Sequence, residues 1–167
     1  MAIIIHASHA FAKRYSCELS LPGEKVPQAG RLDAWSAHYV RVGRKPIVMV
    51  MNDASLWSII IPATGLTTLE KLLPVLLQRI SEVWSAHGAG FDAANQGVVF
   101  FSRSNRSLIG SMNDAVSQIR FVDETDRMGG REMNWVEMET YLNRMPYGAM
   151  KYDRPSERLA ALLGGGR

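Results

Sequence analysis

The chain carries one cysteine, Cys17, in 167 residues. A lone cysteine makes neither an internal disulfide nor a Cys-rich zinc site, and it suits a reducing compartment. Long apolar runs are also missing: the opening "AIIIHA" is far too short for a secretory core, and Leu66 to Trp84 is interrupted by Thr, Glu, Lys, Pro, Gln, Arg and Ser. No membrane span or targeting segment is therefore expected, and a cytoplasmic setting follows. Neither G-x-x-x-x-G-K-[ST] nor G-x-G-x-x-G follows a strand, and G-x-S-x-G does not occur. The standard nucleotide-binding loops and the nucleophile elbow are thereby left without support.

Charge of either sign is modest. Residues 1–50 hold seven Lys/Arg against three acids, and the remainder twelve against thirteen. Arg41, Arg44 and Lys45 gather at an expected hairpin tip, where they could meet a phosphate backbone. A solubilising turn that protects a sheet edge is the preferred reading, because nucleic-acid modules show a denser basic stripe. What is plentiful is core: 47% of residues are apolar and 21% charged, and a chain of this size buries about 70% of its unfolded surface.

Ile3 to Ile5 read as a short strand, followed by a helix capped by Ser8 and running to Tyr15, then a loop, "LPGEKVPQAG". Three extended runs follow, "WSAHYVRV", "IVMVM" and "LWSIII", joined by the turns "GRKP" and "NDAS". Such short connections favour an antiparallel meander. From Leu69 apolar residues recur at spacings of 3 and 4 to Trp84, with Thr67 and Glu70 as a capping box and Gly88 as a stop. Pro74 inside this pattern predicts a kink or a later start. "GVVFF" at 97–101 is a further strand, Arg106 to Phe121 a helix capped by Asn105, "NWVEMETYLNRM" another, and Pro155 opens a last helix through Leu163. The expectation is a single α+β domain over 1–163, with a mixed, mainly antiparallel sheet of four or five strands under helices. Residues 164–167 are expected to form a flexible tail.

The helix from Arg106 draws attention because half of it is polar in an unusual way. Leu108, Ile109, Met112, Ala115, Val116 and Ile119 form its core stripe, while Arg106, Gly110, Asn113 and Ser117 share one polar line and Ser107, Ser111, Asp114 and Gln118 another. Solvated helix faces favour Glu, Lys and Gln; Gly, Ser, Asn and Asp cost helix propensity. An ordinary solvated face is the plainer explanation, and short polar side chains around an Arg at a helix N-terminus are the reason to look for an anion there.

Four stretches, "DAWSAHYV", "NDASLWSIII" with "GLTT", "NRSLIGSMNDAV" and "LNRMPYGAMKYDRPSERL", resemble in order a bacterial domain family of unknown function. Its members share a D-W-S-A-H strand, an N-R-S-x-x-G-S-M-N-D helix and an L-N-x-x-P-x-x-x-L-K-Y ending. The resemblance reaches from near the N-terminus to about Leu159, and "GSMND" is its most specific part. It implies a shared fold and a shared polar constellation: Trp35, Ser36 and His38; Arg106, Ser107, Gly110, Ser111, Asn113 and Asp114; Asn143, Pro146, Lys151 and Tyr152. It implies no reaction. "MKYDRP" departs from the family ending with little consequence.

Three functions are carried forward. The first is a cytoplasmic binding or regulatory domain that holds a partner segment or anionic small molecule on the Arg106 to Asp114 face, with Arg106, Ser107, Asn113, Lys151 and Tyr152 as ligand contacts. The second is a small hydrolase or nuclease-like enzyme using His38, Arg106 and Asp114, with Ser111 a candidate nucleophile. In the third, the constellation only latches helix to sheet. His38 alternates with Trp35, Ala37 and Tyr39, so it shares a face with Ser36 and Val40; a satisfied half-buried histidine is the commoner case. His6 and His9 lack a local acid or Cys partner, so no metal site and no cofactor is expected. Trp35, Trp57, Trp84 and Trp135 read as packing.

Overall fold

The computed structural model describes residues 2–21, 24, 32–90, 92 and 96–164. Most of the "LPGEKVPQAG" loop and residues 165–167 of the tail lie outside them, while Gly164 closes the last helix. The elements are β1 (Ala2–Ala7), α1 (His9–Tyr15), β2 (Ala34–Val42), β3 (Lys45–Asn52), β4 (Ser58–Pro62), α2 (Leu69–Ala86), β5 (Gly97–Ser102), α3 (Arg106–Met128), α4 (Trp135–Arg144), a 3-10 turn (Gly148–Met150) and α5 (Pro155–Gly164). They build one mixed five-stranded sheet, ordered β4-β3-β2-β1-β5, with the helices packed on it: an α+β architecture.

The meander forms as its turns dictate. β2 pairs antiparallel with β3 from Trp35–Asn52 to Val42–Lys45, and β3 with β4. Gly43 takes the left-handed conformation (φ 60°) that the tight β2–β3 turn requires. β1 then adds to β2 in parallel, and β5 adds to the far side of β1, also in parallel.

Both faces of the sheet are covered. Ile3, Ile5, Trp35, Val48, Val50, Ile59 and Ile61 pack with Phe11 and Tyr15 of α1, Leu72, Leu76 and Ile80 of α2, and Leu159 of α5. On the opposite face Val40, Ile47, Met49, Met51 and Ile60 meet Leu108, Met112, Ala115 and Ile119 of α3 and Met138 and Leu142 of α4. No β1 or β5 side chain joins this second core, which therefore spans β2 to β4 and leaves a strip of sheet beside α3.

Two helix boundaries differ from expectation. Thr68, not Thr67, caps α2, accepting from Lys71 N at 3.3 Å, so Glu70 sits in the first turn without closing a capping box. Pro74 is accommodated as the sixth residue, near enough to the start that little of the bonded ladder precedes it. α3 runs past Phe121 to Met128, because nothing interrupts it before Gly129. Its continuation is anchored by Asp123, 2% exposed, which pairs with Arg127 at 3.1 Å and Lys45 at 3.9 Å. Arg120 is thus mid-helix and Arg127 is the cation of the last turn.

Candidate functional site

Strand alternation places a polar patch on the strip of sheet that the second core does not reach. In β1, Ile3, Ile5 and Ala7 point to the α1/α2 core, so His6 and then Ser8 point the other way. Register aligns His6 with Phe101 of β5 on one side and Ser36 of β2 on the other. Two residues further on, Ser8 lies between Arg103 and His38, with Ser8 N–H bonded to Ala37 O (2.9 Å) and Arg103 N–H to Ala7 O (3.1 Å). Two rows result, Phe101–His6–Ser36 and Arg103–Ser8–His38, all on the α3 side. Neighbouring strands lie about 4.8 Å apart and successive same-face residues about 6.6 Å, so His6 and His38 are diagonal neighbours roughly 8 Å apart at Cα.

Hydrogen bonds order the patch. Asp53, from the turn after β3, holds His6 Nδ1 at 2.7 Å on one carboxylate oxygen and accepts from Ser36 Oγ at 2.9 Å on the other. A carboxylate accepts only, so the neutral His6 ring carries its proton on Nδ1 and presents its Nε2 lone pair. Ser8 Oγ accepts Phe11 N–H (3.1 Å) as the cap of α1 and lies 2.8 Å from His38 Nδ1. The arrangement that gives the Ser8 hydroxyl proton an acceptor sends it to His38 Nδ1 and leaves the His38 ring proton on Nε2. Burial, with the charges of Arg103 and Arg120, brings the His38 pKa down to about 4, so the ring is neutral at pH 7.

Arg103 is half-buried, and burial lowers its pKa. Its hydrogen bond among the described residues is to Met112 Sδ, 3.5 Å away, and no described carboxylate pairs with it.

The helix constellation divides. Arg120 acts on His38, which identifies the flank of α3 facing the strip; by helical angle Arg106, Ile109 and Asn113 share it. Ser107, Asp114 and Gln118 belong to the other flank. There Gln118 Oε1 accepts from Tyr141 of α4 at 3.4 Å, and Asp114 faces the buried Tyr147, whose pKa burial drives up. Ser107 helps line a cavity of about 150 Å3 with Asp53, Leu56, Met150 and Arg158. Arg106, Ser107, Asn113 and Asp114 are exposed. Ser111 is 4% exposed and donates back to Ser107 O at 3.1 Å, the habit of a helical serine. Among the described residues no hydrogen bond joins Ser111, His38 and Asp114; the partner of His38 is Ser8.

Of the remaining expectations, Asn143 is buried and grips the backbone of Ser58, accepting from its N–H at 2.7 Å and donating to its carbonyl at 2.9 Å. Lys151 and Tyr152 are exposed on a turn, both with left-handed backbone (φ 53° and 68°). Trp35 and Trp84 are buried, and Trp57 and Trp135 half-buried against the two cores. The basic tip is partly spent, since Lys45 is engaged by Asp123 and the ring of Trp135. Among the described residues no three His, Cys, Asp or Glu side chains gather as metal ligands.

Spacing alone could not find Asp53, Ser8 and Arg103 as site residues. Asp53 is 47 positions from His6, and Ser8 presented itself as a helix cap. One signal existed: His6 and Ser8 alternate with Ile5 and Ala7 in a strand whose apolar neighbours are isoleucines. Polar residues at an inward-facing period invite a search for partners.

Residues 4–158 match the family model described as a domain of unknown function, DUF6933, and the chain belongs to that family. Among curated proteins no relative matches it. No described helix is long and apolar enough to cross a membrane.

Proposed function

We propose, for this member of the DUF6933 family, a binding domain that holds a small anionic ligand on the strip of Arg103, His38 and His6, beneath the Arg106–Arg120 flank of α3. The observation that carries it is Arg103: a half-buried guanidinium with a thioether for its hydrogen-bond partner and no described carboxylate against it. Such a cation costs desolvation that no described carboxylate offsets, and an arriving carboxylate or phosphate supplies two charge-assisted bonds. His38, kept neutral, adds a donor without a second positive charge. Arg106 and Arg120 extend the attraction to the rim. The lone Cys17, its thiol pushed up to about 11 by burial and so inert, fits the reducing bacterial cytoplasm as the setting.

Calorimetric titration with inorganic phosphate and with glutarate tests this reading. Arg103→Met keeps the stem and removes the charge; binding should fall at least tenfold while the melting temperature holds or rises. Arg106→Ala should weaken binding only a few-fold. Unaltered affinity in Arg103→Met would exclude the site. The latch reading suits Ser111 and Asn143, whose polar groups are already bonded to backbone.

A further inference from the structure

We propose that the same strip is catalytic, hydrolysing small carboxylic esters that bear a second, anionic group, with His6 as the general base. The inference rests on the binding reading above and gives it a substrate class.

The argument starts from what Asp53 does. Its two carboxylate oxygens are used in different directions, one by Ser36 Oγ–H and one by His6 Nδ1, so the imidazole is held in one tautomer and one orientation. Packing alone does not ask for this. Position 6 follows three isoleucines, and a fourth apolar residue would fill the strip without a buried polar relay. The His6 side chain is 22% exposed, and among the described residues its Nε2 has no hydrogen-bond partner. An imidazole oriented through Nδ1 by a carboxylate, partly exposed as a side chain and with no described partner at Nε2, is the working half of a general base.

The two other groups supply what a base by itself lacks. His38, the diagonal neighbour on β2, carries its proton on Nε2 and is a neutral donor for an oxygen that becomes negative. Arg103 lies one strand beyond Ser8 and takes the remote anion, so the substrate is anchored at one end and attacked at the other. The step balances without a metal or redox partner. Water bonds to the ester carbon as its proton passes to His6 Nε2, and the carbonyl oxygen becomes an oxyanion against His38 Nε2–H. The intermediate then collapses, the bond from carbon to the alcohol oxygen breaks, and that oxygen takes the proton back from His6. A carboxylic acid and an alcohol leave.

The mono-4-nitrophenyl ester of glutaric acid is the probe, with neutral 4-nitrophenyl butyrate as comparison. Hydrolysis should exceed that by free imidazole at equal concentration, with kcat/KM at least tenfold higher for the anionic ester. Asp53→Asn, which keeps volume, should lower kcat by about 10²-fold or more with KM little changed. His6→Ala should do the same and regain activity with added imidazole. Circular dichroism confirms that each variant is folded. Glutarate binding without turnover above the imidazole background overturns the catalytic inference and leaves the binding reading standing; loss of both overturns both. Full activity in folded His6→Ala also overturns it.

Discussion

His38 is a neutral histidine in a place that punishes protonation, and that gives stability a slope with pH. Its folded pKa, about 4, lies below the ordinary 6.5, so between those values the unfolded chain binds the extra proton. The contribution is complete above pH 6.5, shrinks as pH falls toward 4, and changes no further below that. Urea melts from pH 8 to 4 should show the parent losing more stability across that window than His38→Gln, which cannot titrate; parallel curves would refute the account. Asn143 makes a different kind of residue-scale prediction. Asn143→Ala strands the N–H and carbonyl of Ser58 in the interior and should cost about 3 kcal/mol, read from the urea midpoint. At this scale the sequence was partly legible. Alternation in β2 put Ser36 and His38 on one face correctly, and Asn105 and Ser8 were recognisable as caps. Asp53 was hidden in a turn, and Arg103 in the link between β5 and α3, since only the folded register brings them to His6 and Ser8.

Among elements, β4 shows how an open sheet edge is closed. Its outer backbone donors are taken by side chains four residues apart on α4: Ser58 N–H by Asn143, and Ile60 N–H by Glu139 Oε2 at 2.9 Å. Glu139 also holds Arg79 of α2 at 2.7 Å, so helices on opposite faces meet across the edge. Burial raises the pKa of Glu139, against the opposing pull of the Ile60 amide and Arg79. Glu139→Leu removes both the acceptor and the counter-charge; it should cost about 3 kcal/mol and expose an edge that pairs with other copies, seen as concentration-dependent light scattering. Glu139→Gln retains an acceptor and should be milder, and equal losses would argue against the edge-capping role. Elements were the most legible scale, because periodicity and turn residues are local. The place of β5 was not: "GVVFF" announces a strand, but nothing local says that it adds beside β1 rather than beyond β4.

Across the whole molecule, the basic patches separate into one that the fold consumes and one that it leaves open. Lys45 is held by Asp123 and Trp135, so the β2–β3 tip offers Arg41 and Arg44 alone, whereas Arg103, Arg106 and Arg120 share the α3 side with His38. A nucleic acid held at the tip would show affinity falling steeply with salt; the expected result is negligible binding to duplex DNA at 50 mM salt, and tight binding there would reassign the partner. The parallel insertion of β1 and β5 carries a last consequence, in time rather than in space. The meander from β2 to β4 closes through two short turns, but β1 and β5 are some ninety positions apart in the chain, and their union must await a large loop closure. His6, Ser8, Ser36, His38, Asp53 and Arg103 come together only when that closure is made, so the patch cannot exist in a chain that has folded merely its hairpins. During refolding, anion binding should emerge with the slowest major phase, after most of the secondary structure is in place.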